Sequence, residues 1–206
     1  MARVVHHKDA IITYHENGTL SKQYESDESF HAEARGLEIV HGLPSIIKVH
    51  NIDLDTKTII YEVGEKLMDI IDADTLRPVL ILASNIIDSL HNADIAHGDF
   101  WIGNLLVNLQ GPVSTHGCLR LIDFETTVRT TDVEKKGKDL IDFLEYLLGY
   151  DTLQDEGSQS LLRTLIDNVR TTETTQVLFM GRMRTRTRNR IKTGIIGQFH
   201  DLVLTV

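Results

Sequence analysis

The sequence predicts an α+β fold in two lobes. Residues 1–63 form a small antiparallel β lobe with one helix, and residues 64–206 form a mostly helical lobe. Three observations carry this reading. The first sixty residues alternate short β-type runs with a single helical segment. From Asp74 onward the apolar spacing changes to that of helices. One pair of strand-like runs, Leu105–Leu109 and Cys118–Phe124, interrupts the helical part, with Gly111-Pro112 in the turn between them.

Each element has a local reason. Val4–His7 and Ala10–Tyr14 read as strands, and Thr19–Tyr24 as a third after the Asn17-Gly18 turn signal. Ser29–His41 reads as a helix that Gly42 and Pro44 end. Ser45–His50 and Thr58–Val63 are further β-type runs, joined through the polar stretch Asp53–Lys57. In Leu76–His91 the apolar residues Val79, Ala83, Ile86, Ile87 and Leu90 make one helical stripe, with Pro78 near the first turn, where it is tolerated. Helices are expected at Lys138–Leu148 and Ser158–Val169, while Ile195–Val206 is apolar and fits strand or helix.

A chain of 206 residues with 41% hydrophobic content can bury a real core. Its single cysteine, Cys118, excludes an internal disulfide framework and, in an apolar run, reads as a packing residue. No apolar stretch reaches bilayer length and Met1–Lys8 has no signal-peptide core, so a soluble cytoplasmic protein without a membrane span is expected. The net charge of −9 hides an asymmetry. Arg182, Arg184, Arg186, Arg188, Arg190 and Lys192 fall together with no acid among them, so the rest of the chain is more acidic than the total implies. This segment is either a solvated face balancing an acidic body or a contact for RNA or another polyanion.

The chemistry is concentrated in His97-Gly98-Asp99-Phe100-Trp101-Ile102-Gly103-Asn104, followed by Leu121-Ile122-Asp123-Phe124-Glu125. Taken singly, Asp99 is an exposed loop acid or helix cap, and Asn104 a turn former. Asp123 ends an apolar run, where an unpaired carboxylate is costly and a bound cation relieves the cost. Together, an H-x-D with Asn five residues after the Asp, then a second Asp between apolar runs, resembles the protein-kinase-like superfamily. The resemblance implies a two-lobed kinase-like fold and an ATP- and magnesium-dependent phosphotransferase.

Carried onto this chain, the resemblance makes Asp99 the aspartate that orients the attacking hydroxyl, and Asn104 and Asp123 the magnesium ligands. Lys22, in Leu20–Tyr24, resembles the strand lysine on the nucleotide phosphates, and Glu33 the helix glutamate that pairs with it, Glu28 and Glu38 being alternatives. Ile59–Gly64 resembles the hinge, where backbone groups near Glu62 and Gly64 meet the adenine edge. His97 is read as a structural residue of the loop. Asp139 resembles the aspartate that anchors the loop from below, though a plain helix N-cap explains it nearly as well.

Three departures shape the functional expectation. Between the first two strands His6-His7-Lys8-Asp9 replaces a glycine-rich phosphate loop. Glu125 stands where D-F-G has its glycine. The stretch from Asp123 to Asp139 is too short for a conventional activation segment. The trimmed layout resembles RIO kinases, the KEOPS-complex kinase and lipopolysaccharide-core kinases. The implied activity is that of an atypical Ser/Thr protein kinase, able to act on itself. Alternatives are a kinase of a sugar or other small hydroxylated molecule, and a pseudokinase-like nucleotide-binding or interaction module.

Overall fold

The computed structural model describes residues 3–7, 9–66, 73–107 and 119–147. The Gly111-Pro112 turn, Cys118, the Ser158–Val169 helix, the basic stretch Arg182–Lys192 and Ile195–Val206 lie outside the described residues, as does Lys8.

The first lobe is a five-stranded antiparallel sheet in the order β1-β2-β3-β5-β4. Its strands are β1 (Arg3–His7), β2 (Ala10–Tyr14), β3 (Thr19–Tyr24), β4 (Val49–Asp53) and β5 (Thr58–Glu62). Gly18, at φ +75, supplies the left-handed residue of the β2–β3 turn. β1 and β2 register as His7 opposite Ala10, so only residues 8 and 9 join them.

Helix α1 (Asp27–Ile39) starts two residues before the position expected from its apolar pattern. Its N-cap is Ser26, whose hydroxyl accepts the N–H of Ser29 at 3.0 Å, and Asp27 and Glu28 oppose the positive end of the helix dipole. Phe30, Glu33, Gly36 and Leu37 form its buried face.

Ser45–His50 is not the strand its composition predicts. Ser45 takes a left-handed φ of 61, and its carbonyl and the N–H of Ile47 both bond to Leu121. These backbone groups tie the first lobe to the second, and β4 begins only at Val49.

The second lobe opens with β6 (Glu65–Lys66) and α2 (Ala73–Asn92). Because α2 begins earlier than expected, Pro78 lies inside it, where the missing N–H leaves one helical bond unmade. The stripe Val79, Ala83, Ile86, Ile87 and Leu90 is buried as its spacing predicts. β7 (Ile95–Ala96), β8 (Leu105–Val107), β9 (Leu119–Leu121) and β10 (Val128–Arg129) form two small sheets, β6-β8-β9 and β10-β7. Helix α3 (Val133–Leu147) follows, opened by Asp132, whose carboxylate accepts the N–H of Glu134 at 2.9 Å. Asp139 therefore sits in the second turn of α3 and is not its N-cap, which removes the bland reading of that residue. One core runs through both lobes, from Phe30 and Ile59 to Leu90, Phe100, Phe124 and Phe143. Among the described residues no helix is long and apolar enough to cross a membrane.

Candidate active site

The loop after β7 is built on a buried carboxylate. Asp139 of α3 is fully buried, and its two oxygens accept the N–H of His97 at 2.8 Å and of Gly98 at 2.6 Å. His91, at the end of α2, adds its Nε2 at 3.2 Å. Gly98 adopts φ +84, and a Cβ there would sit 2.8 Å from the carbonyl oxygen of Thr126. Only glycine makes this turn without strain. The Thr126 hydroxyl donates to the His97 carbonyl at 2.8 Å, closing the loop from the other side.

His97 is buried, and its ring stacks edge-on against Phe100 and Phe124. Burial lowers its pKa against the pull of the surrounding aspartates. Its Nε2 lies 3.2 Å from the Ile122 carbonyl, and its Nδ1 faces the N–H of Asp99 at 3.4 Å. Those partners define a neutral ring that donates from Nε2 and accepts at Nδ1. It is a structural element of the loop.

Asp99 emerges from this frame exposed. The buried Asn104 donates from Nδ2 to the Asp99 carbonyl at 2.9 Å and to its carboxylate at 3.1 Å. The five-residue spacing thus has a geometric meaning. The one-turn helix Ile102–Asn104 brings the amide back onto Asp99. With its nitrogen engaged, the amide directs its oxygen away from Asp99. The Asn104 carbonyl accepts the N–H of Ile122 at 3.0 Å, which ties it to the strand end that carries Asp123.

Asp123 has a left-handed backbone, φ 67, an uncommon conformation for a residue with a side chain. Lys22 of β3 meets it across the molecule, with Nζ 3.3 Å from Oδ1 of Asp123 and 3.3 Å from Oε1 of Glu125. The ammonium also lies 4.7 Å from the centroid of the Tyr24 ring. Burial alone would lower the Lys22 pKa. The negative groups around it, Asp123 foremost, outweigh that and hold it above an ordinary lysine.

Glu33 departs from its expected contact. No ion pair within 4.0 Å joins it to Lys22 among the described residues. Instead Oε1 accepts the Tyr61 hydroxyl at 3.1 Å, and Oε2 accepts the N–H of Phe124 at 2.7 Å. The physical reason is depth, since Glu33 is almost fully buried beneath Phe124. That burial, against the opposing pull of Lys22, pushes its pKa up to about 7. Beside it, Gly36 lets α1 approach so closely that a Cβ would lie 2.0 Å from the Phe124 carbonyl oxygen.

Carboxylate oxygens of Glu33, Asp123 and Glu125 lie within 4.8 Å of one another. Asp123 and the amide oxygen of Asn104 offer hard oxygen donors, the chemistry that suits magnesium. Glu62, ending β5, accepts Arg120 Nε of the other lobe and the N–H of Lys48 in its own, each at 3.1 Å. Its own N–H donates to Lys48 and that of Val63 to Gly18. Gly64 lets the chain pass Leu106, whose Cβ would be 3.0 Å from an added Cβ. Sequence reasoning missed Tyr61, His91 and the Lys22–Glu125 pair. A histidine next to the α2 stripe and a carboxylate in the glycine position of D-F-G were the available signals.

Comparison with known proteins places this geometry. The family model of the lipopolysaccharide kinase (Kdo/WaaP) family matches residues 72–164, which contain Asp99, Asn104 and Asp123. The EKC/KEOPS complex subunit BUD32 of Yarrowia lipolytica is 31% identical over 106 residues, covering 50% of this chain and 40% of that relative's length. The chain thus matches less than half of that relative. The solved structure of WaaP in complex with acyl carrier protein superposes with a TM-score of 0.59 at 14% identity, covering 100% of this chain and 88% of that one. The chain has the two-lobed α+β fold of protein-kinase-like proteins, and over part of its length it is similar to atypical kinases of the lipopolysaccharide-core and KEOPS kinds.

Proposed function

We propose that this chain transfers the γ-phosphoryl group of ATP to an alcohol. The observation that carries the reading is the pairing of two local geometries. An exposed Asp99 is braced by Asn104, and Lys22 reaches Asp123 from 101 positions away in sequence. In this reading Lys22 binds the nucleotide phosphates, and backbone groups near Glu62 and Gly64 receive the adenine. Asn104 and Asp123 hold magnesium, which when bound neutralises charge on the phosphates. Asp99 accepts a hydrogen bond from the acceptor hydroxyl and aligns its oxygen with the γ-phosphorus. The new P–O bond forms as the bond to the β,γ-bridging oxygen breaks. ADP leaves with that electron pair, and the hydroxyl proton passes to Asp99 and on to water.

The acceptor we propose is a Ser/Thr hydroxyl on a protein, this chain included. The short connection from Asp123 through β10 into α3 supports an unregulated, atypical kinase over a conventional one. The Kdo/WaaP family match favours a second reading, a sugar hydroxyl. With labelled ATP and magnesium, label should move to protein, or to a lipopolysaccharide-core sugar in the second reading. Asp99→Asn should reduce transfer by roughly two to four orders of magnitude while ATP affinity changes less than about tenfold. Wild-type transfer by that variant would remove Asp99 from the mechanism. No transfer by the wild type to any acceptor or to water would leave a nucleotide-binding module.

A further inference from the structure

We propose that Glu125 is the residue that positions Lys22 toward the nucleotide phosphates, and that Glu33 braces the backbone of Phe124 instead. This deepens the kinase reading and rests on it. Two carboxylates contact the ammonium at equal distance, Asp123 and Glu125, each at 3.3 Å. They are not equivalent once the site is loaded. Asp123 is the residue assigned to the metal, and a carboxylate that neutralises a cation attracts a neighbouring ammonium less. Glu125 is then the partner that keeps Lys22 extended.

The other candidate is already occupied. Each oxygen of Glu33 accepts a hydrogen bond, one from the Tyr61 hydroxyl and one from the Phe124 N–H. Moving Glu33 onto Lys22 would break contacts inside the core. Glu125 has no such tie. Its side chain is 36% exposed, so a flexible arm can follow the ammonium as phosphates arrive. The backbone that aims it is the left-handed Asp123 and the turn closed by the Thr127 N–H donating to the Phe124 carbonyl at 3.1 Å. A glycine after Phe124 could make the same turn but could not hold a lysine.

The test uses the isosteric pair Glu125→Gln and Glu33→Gln in the full chain. The first readout needs no catalysis. Nucleotide-free protein is acylated with a water-soluble succinimidyl acetate, and modification of Lys22 is measured by mass spectrometry against Lys48. Glu125→Gln should free the amine and raise Lys22 labelling by about tenfold, the effect of losing one close opposite charge. Glu33→Gln should raise it by less, because the Glu33 carboxylate pulls on Lys22 without a direct ion pair to it. The second readout is steady-state kinetics with ATP and magnesium. Glu125→Gln should lower kcat by about tenfold or more with the KM for ATP nearly unchanged, as when an interaction matters chiefly in the transition state.

Faster Lys22 labelling in Glu33→Gln and not in Glu125→Gln would overturn the inference. So would a tighter ATP complex with undiminished kcat in Glu125→Gln, because Glu125 would then compete with the phosphates for Lys22. If labelling follows the expectation but the wild type transfers no phosphoryl group, the pairing stands and the kinase reading fails.

Discussion

The loop His97–Asn104 is held from below by a buried carboxylate on backbone amides, whereas Lys22 opposite it is held by carboxylates that water reaches. In the first region charge is sealed in and the partners are rigid: Asp139 is fully buried and His97 is a neutral ring wedged between phenylalanines. In the second region a strand lysine meets side-chain ends from the loop between β9 and β10, distant in sequence. The difference teaches a division of labour. A hydroxyl-orienting group gains from preorganisation, since its geometry must be in place before substrate arrives. In the proposed kinase reading Lys22 gives up Asp123 when nucleotide and metal enter and keeps Glu125, so its contacts are charged and reached by water.

The sharpest break in that comparison is Asp139→Ala. It removes a buried charge that accepts the His97 and Gly98 amides and contacts His91, so a loss of about 3–5 kcal/mol in urea unfolding is expected. A loss below about 1 kcal/mol would show that the loop holds itself and that the two regions differ less than their geometry implies.

Glu33 tests the boundary between the regions. Its proton is released near 4.5 in the unfolded chain but near 7 in the folded one. The folded protein thus binds more protons between those values, and stability from this group falls as pH rises from about 4.5 to about 7. Above that the whole penalty is in place, no more than about 3 kcal/mol. Melting curves in EDTA should show this slope in the wild type and its loss in Glu33→Gln. Equal slopes would mean that Glu33 keeps its charge.

The smallest effect should come from Gly36→Ala. The added methyl overlaps the Phe124 carbonyl and forces a backbone shift, a cost of about 1–3 kcal/mol. Alanine's better helix propensity offsets about 1 kcal/mol of it. The net should be a Tm lower by a few degrees, with a larger fractional loss of activity because the shift passes to Asp123. An unchanged Tm and activity would show that α1 and the Phe124 segment can move apart freely.

Much of this was legible in sequence because it depends on short-range spacing. The strands β2 and β3 and the stripe of α2 follow from periodicity, and the Asp99–Asn104 contact follows from one turn of helix. The beginning of α3 was not legible, because Val133-Glu134-Lys135-Lys136-Gly137 shows no apolar stripe and the helix becomes buried only from Gly137. Ser45–His50 read as a strand because β propensity does not reveal that its amides would bond to Leu121. The partner of Lys22 could not be read either. Which of several carboxylates reaches an ammonium depends on the left-handed turn at Asp123 and the depth of Glu33, and both are products of folding.

The contact of Gly36 with Phe124 has a pharmacological consequence. With the Glu33 carboxylate on the Phe124 amide and no side chain between helix and loop, α1 and the Asp123-Phe124-Glu125 segment behave as one body. An inhibitor that works by prising such a helix outward, or by turning Phe124 out of the core, must first break a buried 2.7 Å hydrogen bond and unbury Phe124. Compounds shaped for the space in front of Lys22 face no such barrier.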